Sequence, residues 1–221
     1  MMAEIKYIDK LDIPIESKKT RLLDFWNHTV VNSYIWGCPT SELSCRLNSL
    51  VSHNHLDIGV QCGYVLQELL PDSLLRLVIA DDDMSNLSTS SQRLAHYHPE
   101  KLHASFIGKL PENIEKFDSI SINYLLHRLM GRLDYKGDQI FKNVDHLLNP
   151  GGMVFGSTIM GRGVKKSYLS RKAMRYCNDN LIFNNRYDSP SLLRMCLKKY
   201  FVDVKIEVVG TVAIFKARKP S

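Results

Sequence analysis

The sequence predicts an α/β three-layer sandwich whose mainly parallel sheet ends in an antiparallel hairpin. Three observations carry that expectation. Short apolar runs alternate with helical patterns between Leu56 and Ser157, the order of strand-helix units that lay strands side by side in parallel. The tail reads differently: Val204, Ile206 and Val208 alternate with Lys205 and Glu207, and Gly210-Thr211 turns the chain into a second apolar run at 212–217. The 221 residues, 44% of them hydrophobic, suffice for one well-buried domain and not comfortably for two.

Taken in order, residues 17–35 read as an amphipathic helix with Leu22, Trp26 and Val30 four apart and Ser17 or Thr20 as cap. A connector rich in aromatics, Tyr34-Ile35-Trp36-Gly37-Cys38-Pro39, leads to a second helix that places Leu43, Leu47 and Leu50 on one face. Strands are expected at 56–59, 75–80, 102–107, 117–123 and 153–157. Helices are expected at 64–70, ended by Pro71, then over a segment with Leu87, Leu94 and Ala95 inward, and at 139–148, ended by Asn149-Pro150-Gly151-Gly152. A basic helix near 164–177 follows. Ser189-Pro190 then supplies a cap and a first-turn proline for a helix with Leu193, Cys196, Leu197 and Tyr200 inward. Residues 1–53 are thus expected to form helices covering a cleft, and 54–221 the core, within one globular unit.

Composition narrows the function classes. No stretch reaches the roughly 18 apolar residues of a membrane span, and the first 19 residues lack an apolar signal core. Five cysteines without a Cys-x-x-Cys pair point to reduced thiols and a cytoplasmic protein. The net charge of +6 is concentrated between Arg162 and Arg175, where six bases occur without an acid. Such a segment reads first as a solvated helix face, and then as an attractor of anions or RNA. His53-x-His55 and His96-x-His98 with His103 lack a completing cysteine or acid, and Asp81-Asp82-Asp83 precedes a helix whose amino end acids serve, so no metal site is expected.

The chemistry is expected around His55-Leu56-Asp57-Ile58-Gly59-Val60-Gln61-Cys62-Gly63-Tyr64, where a strand turns into a helix. In such sheets ligands sit beyond the carboxyl ends of the strands. Glycines at the first turn let backbone approach a nucleoside, and an acid at the end of the second strand, here Asp81, accepts from ribose hydroxyls. Asp57 would repel a pyrophosphate and tolerates a cation.

An acid at that point, the Pro-Gly-Gly turn before the fifth strand and the terminal hairpin together resemble class I S-adenosylmethionine-dependent methyltransferases. The blocks Phe117-Asp118-Ser119-Ile120-Ser121-Ile122-Asn123-Tyr124-Leu125-Leu126-His127 and Leu148-Asn149-Pro150-Gly151-Gly152-Met153-Val154-Phe155-Gly156-Ser157-Thr158-Ile159, with Trp36-Gly37-Cys38-Pro39, are similar to the small "type 12" group. The resemblance spans about residues 20–217 and implies a Rossmann-like, seven-stranded sheet and S-adenosylmethionine as cofactor.

It also implies site residues. Asp57, Gly59, Gln61 and Gly63 line the methionine and ribose side, Asp81 holds the ribose hydroxyls, Ser105 within Ala104-Ser105-Phe106 flanks the adenine, and Asn123 with Tyr124 faces the acceptor. Gln61 replaces the usual middle glycine, and Ser105 a frequent acid. His127, one helical turn past Asn123, is the expected general base, with Tyr124 as an orienting group; Tyr34 and Trp36 are expected beside the substrate. The expected partner is a small-molecule acceptor methylated on oxygen or nitrogen, by a monomer or homodimer. An RNA or protein acceptor is the alternative, weakened because Asn123-Tyr124 lacks the two prolines frequent in amino-group methylation; a cofactor-binding homologue that does not methylate is the other.

Overall fold

The computed structural model describes residues 26–108, 110 and 113–221, with side chains described from residue 31 onward within that set. The cap and first turns of the expected 17–35 helix lie outside the described residues, as do the Trp26 and Val30 side chains. The part described, Trp26–Trp36, winds as a π-type helix.

Seven strands form one sheet in the order β3-β2-β1-β4-β5-β7-β6. They are β1 (Asn54–Ile58), β2 (Arg76–Asp81), β3 (Glu100–His103), β4 (Phe117–Asn123), β5 (Leu148–Ile159), β6 (Val202–Val209) and β7 (Val212–Arg218). The first five run parallel, and β7 pairs antiparallel with both β5 and β6. The order reverses between β1 and β4, which opens a crevice at their carboxyl ends.

The helices are α1 (Thr40–Leu47), α2 (Tyr64–Gln67), α3 (Met84–Arg93), α4 (Leu133–Leu147), α5 (Tyr168–Asp179) and α6 (Pro190–Leu197). Central parallel strands are covered on both faces, so they bury alternate residues in two different layers. Leu56, Ile58, Ile120 and Ile122 pack with Ile140, Phe141 and Val144 of α4 and Leu193 and Leu197 of α6. On the other face Phe155, Ile159 and Ile214 pack with Trp36, Leu43 and Leu47, while Leu77 and Ile79 meet Leu87 and Leu94. The edge strand β6 keeps Lys205 and Glu207 exposed, charges that discourage pairing with another chain.

Several boundaries differ from expectation. β3 ends at His103, because its pairing with β2 stops at Asp81–His103, so Ala104-Ser105-Phe106 is a loop beyond the sheet. α4 begins at Leu133, six residues early: Leu133 is fully buried and its N–H donates to Asp188 Oδ1 at 3.2 Å, which supplies the start that the cap pattern hides. Asn149-Pro150-Gly151-Gly152 lies within β5 as a bulge, since Phe117 pairs with Leu148 and Ser119 already with Met153. Ala95 is exposed because α3 ends at Arg93. Ser189 does cap α6, accepting from Leu192 N, with Pro190 in the first turn.

One buried ion pair ties the segment before α6 to the core. Lys136 Nζ lies 2.8 Å from Asp188 Oδ2, with both side chains essentially inaccessible, and also donates to the carbonyls of Leu129 and Asn184. Burial pushes the lysine down and the carboxyl up, and their mutual attraction opposes both.

Candidate active site

The turn between β1 and α2 is built for a close approach. Gly59 donates its N–H to Ala80 O, bringing the turn against the end of β2, and it sits at φ +74°. A Cβ there would stand 2.8 Å from the Leu125 side chain. Gly63, also at φ +74°, heads α2, and a Cβ on it would press on Ser90 of α3 at 3.1 Å. Between them Gln61 holds a left-handed conformation, φ +52°, that non-glycine residues rarely take.

Asp81 braces this turn. Its Oδ2 accepts from Gln61 N at 3.0 Å, and its Oδ1 accepts from Asp83 N and Asn86 Nδ2, both at 3.0 Å. A carboxylate offers about four acceptor sites, so three internal bonds leave one toward the crevice. Asp83 caps α3 by accepting from Ser85 N at 2.8 Å, consistent with a helix-start role for that acid.

Two cavities meet at Gly59. One, partly open to solvent, is lined by Gly59, Asp81, Ala104, Ser105, Phe106 and Leu125 among others. The other, also partly open, is lined by Asp57, Gly59, Gln61, Cys62, Tyr64 and Asn123 among others. Asp57 and Asp81 are only 2% and 5% exposed. Burial pushes the Asp57 carboxyl up to about 7; Ser121 Oγ, donating to Asp57 Oδ2, opposes the shift, and neighbouring Asp81 adds to it. Ser105 Oγ makes only long contacts, 3.4–3.5 Å, with the Ile107 backbone.

Asn123 ends β4. Its Oδ1 accepts from Ser157 Oγ at 3.0 Å, while its Nδ2 is buried without a partner among the described residues. An orphaned donor in a cavity wall is a ligand contact waiting to be made. Tyr124 follows at φ +50°, a turn that aims its carbonyl at Gln61, whose Nε2 donates to Tyr124 O at 3.2 Å and Asn123 O at 3.4 Å. The Tyr124 hydroxyl is buried beside the Cys38 thiol, and burial raises both pKa values, Cys38 to about 11.

His127 is 2% exposed, wedged between Tyr124 and Phe183, whose ring centroid is 4.4 Å away. Burial, reinforced by Arg128 and Lys136, pushes its pKa well down, so the ring is neutral. Its Nδ1 accepts at long range from Thr158 Oγ1 and Ile159 N, at 3.4 and 3.5 Å, which puts the proton on Nε2. That tautomer presents a donor where a general base needs an acceptor. Trp36 is 4% exposed against Phe183, and its carbonyl accepts from Thr211 N and Oγ1. Tyr34 is 75% exposed and lines neither cavity.

The structure therefore brings Asp57, Gly59, Gln61, Asp81, Ser105 and Asn123 to the cavity walls, with Gly63 shaping the turn behind them. Sequence reasoning weighed His55 only as half of an incomplete ligand pair and passed over Ser119 and Ser121; all three share the Asp57 face of the buried strands. Their signal was present: polar residues at every second position of two strands with no water to face. It also passed over Phe183 and the Lys136–Asp188 tie, which show no local pattern.

A crevice at the switch point of an α/β sheet, two buried carboxylates there and a glycine-framed turn together make up the candidate site. No protein-family model matches the chain. A physcion biosynthesis cluster O-methyltransferase of Aspergillus chevalieri is 33% identical over 202 residues, 90% of each chain. The demethylluteothin O-methyltransferase of Streptomyces thioluteus is 31% identical, covering 82% of this chain and 79% of its own. The N-methyltransferase vrtF of Penicillium aethiopicum is 34% identical, covering 84% and 78%. Among solved structures, the N-methyltransferase NodS of Bradyrhizobium japonicum shares the fold at a TM-score of 0.59 and 17% identity, covering 82% and 93% of the two chains. The pyocyanin biosynthetic protein PhzM does so at 0.65 and 14%, covering 91% and 58%. The chain belongs to the class I S-adenosylmethionine-dependent methyltransferases.

Proposed function

We infer that the protein transfers a methyl group from S-adenosylmethionine to an oxygen or nitrogen of a small organic molecule. The observation that carries this reading is the second cavity, whose wall includes both a buried acid, Asp57, and Asn123, a residue whose Nδ2 has no partner among the described residues. A carboxylate suits a cation, and an unmatched N–H suits a lone pair on a ligand or acceptor. The relatives' names, a physcion biosynthesis cluster O-methyltransferase, a demethylluteothin O-methyltransferase and an N-methyltransferase, support the acceptor class.

The residues fit the cofactor. Asp81, with one acceptor site left, would hold the ribose; Ala104, Ser105 and Phe106 would flank the base; Asp57, Gln61 and Asn123 would surround the amino-acid end. Once bound there, S-adenosylmethionine supplies an activated methyl, so positioning of the acceptor dominates the protein's task. Tyr124 and His127 act in this reading by shape and hydrogen bonding. Burial keeps the Tyr124 hydroxyl protonated and the His127 ring neutral with Nδ1 engaged, so neither is set up as a free base. Within the described residues, the segment 31–53 caps the cleft above the core of 54–221; packing of Trp36 and α1 with Tyr124 and Phe183 supports this. Five free thiols fit a cytoplasmic setting.

Titration calorimetry with S-adenosylmethionine and S-adenosylhomocysteine tests the reading. Both should bind, and Asp81→Ala should weaken binding by roughly 10- to 150-fold, the ~1.5–3 kcal/mol of a hydrogen bond to a charged group. Absence of heat with both ligands overturns the assignment. Label transfer from the methyl-labelled cofactor to RNA, with none to a panel of phenols and amines, overturns the acceptor class.

A further inference from the structure

A chain of hydrogen bonds runs inside the sheet from the amino-terminal edge of β1 to Asp57. β1 and β4 pair in parallel with His55 opposite Ser119 and Asp57 opposite Ser121, so all four side chains share one face. His55 Nδ1 lies 2.7 Å from Ser119 Oγ, and Nε2 lies 2.9 Å from Ser121 Oγ. Ser119 Oγ in turn accepts from Ser52 N at 2.9 Å and lies 2.8 Å from Ser52 Oγ. His55, Ser119 and Ser121 are at most 1% exposed, whereas Ser52 is half-buried at the surface. Phe155 of β5 stacks on the His55 ring at 5.7 Å and fixes its plane.

The polarity of the chain follows from its ends. Ser121 donates to the carboxylate, so it must accept from His55 Nε2–H; Nδ1 then carries no proton and accepts from Ser119. From Ser119 inward every donor points toward Asp57, while the Ser52 hydroxyl at the outer end donates to Asn54 O at 2.9 Å. Burial holds the ring neutral, with a pKa near 3 despite the Ser119 bond. A neutral imidazole with a hydroxyl on each nitrogen has two tautomers, and it moves a proton by exchanging one for the other.

We propose that Ser52, Ser119, His55 and Ser121 form a proton relay that sets the charge of Asp57 from the opposite edge of the sheet. The proposal rests on the reading of Asp57 as a cofactor-site carboxylate. When Asp57 loses its proton, that proton passes to Ser121 Oγ, the Ser121 proton to His55 Nε2, the Nδ1 proton to Ser119 Oγ, the Ser119 proton to Ser52 Oγ, and the Ser52 proton to water. One proton enters the chain and one leaves it, and every group ends neutral except the carboxylate. Exit at Ser52 matters because a ligand in the crevice covers the other route. His55 and Ser119 act through Ser121 and are positioning residues. The titratable groups facing Asp57 are His55 on its own strand, Asp81 on β2, and Cys62 and Tyr64 across the second cavity; from β4 it meets Ser121 and Asn123.

The ligand-free protein, labelled with 15N-histidine and 13C-carboxyl aspartate, gives the test by NMR between pH 5 and 9. Asp57 should titrate near neutrality, and as pH rises His55 should switch from the Nδ1–H to the Nε2–H tautomer with the same midpoint and without forming imidazolium. Ser119→Ala spares the Ser121–Asp57 bond but removes the acceptor that the Nδ1–H form needs. It should lock the Nε2–H tautomer and lower the Asp57 midpoint by half a unit or more. An Asp57 that stays ionised down to pH 5, a ring that keeps one tautomer through the titration, or a Ser119→Ala protein that behaves as wild type overturns the relay. Calorimetry with S-adenosylmethionine in two buffers of different ionisation heat should show proton release on binding at pH 6, and none at pH 8.5. Absence of binding would overturn the cofactor reading, while the ligand-free spectra still decide the relay; binding without proton release at pH 6 overturns the coupling.

Discussion

Replacing Gln61 by glycine asks whether this side chain assists the cofactor or stands in its way. Gln61 pays for its left-handed backbone, φ +52°, at about 1–2 kcal/mol in a non-glycine residue. Glycine removes that strain and loses about 0.4–1 kcal/mol through the freer unfolded chain, so folding stability should move by no more than about 1 kcal/mol. The brace from Gln61 N to Asp81 is a backbone bond and survives. What disappears is the carboxamide, whose bonds to Tyr124 O and Asn123 O are long, 3.2 and 3.4 Å, and together worth about 1 kcal/mol at most. A cationic ligand end entering the second cavity displaces that amide before meeting the same two carbonyls. Gln61→Gly should therefore tighten S-adenosylmethionine by up to roughly fivefold in calorimetry, the equivalent of about 1 kcal/mol. Gln61→Asn, which tolerates the left-handed backbone with a shorter arm, should fall between. Tenfold weaker binding by the glycine variant would refute the reasoning and make the carboxamide a ligand contact.

Lys136→Met should leave Asp188 buried without its partner and cost about 3–5 kcal/mol in chemical denaturation, whereas a double replacement by apolar residues of similar volume should recover most of the loss. A single variant within 1 kcal/mol of wild type would mean that water reaches the pair. For pH, His127 is held neutral in the fold, so the unfolded chain takes up its proton first as pH falls below about 6.5. Its contribution is intact above that value and is lost toward acid. His127→Phe should flatten the acid side of the stability curve between about pH 6.5 and 4, read as urea midpoints; an unchanged slope would place the ring in contact with solvent.

The fold was legible because its signals are local. Strand-helix alternation fixed the parallel core, and the alternation of Val204, Ile206 and Val208 fixed the hairpin, since both record which side chains meet water. Boundaries failed where a distant partner substitutes for a local signal. α4 starts at Leu133 because Asp188, 55 residues on, accepts from its N–H. The β5 bulge keeps Pro150 and Gly151 inside a strand because Phe117 pairs across to Leu148. The cavity-wall residues, Asp57, Gly59, Gln61, Asp81, Ser105 and Asn123, were found at strand ends and turns, where topology alone says a ligand goes.

Assigning roles needed more than position. His127 lies where an expected base should lie, one turn past Asn123, and its sequence neighbourhood gives no hint of Phe183 or of Thr158 and Ile159 closing over the ring. Enclosure turns the candidate base into a neutral donor, and only tertiary packing supplies enclosure. His55 shows the converse. In the sequence it sits in an incomplete His-x-His pair, and in the structure its partner His53 bonds to Ser73 O at the surface while His55 itself joins two serines to Asp57. With β1 starting at Asn54 rather than at the expected Leu56, period-two spacing puts His55 and Asp57 on one face, and Ser119, Ser121 and Asn123 on one face of the other strand. The missing fact was that β1 lies next to β4 in register, a pairing between residues about 64 apart that no window along the chain reports. Polar residues repeating at every second position of a buried strand are thus a testable sign of cross-strand chemistry, because each needs a partner that the same strand cannot provide.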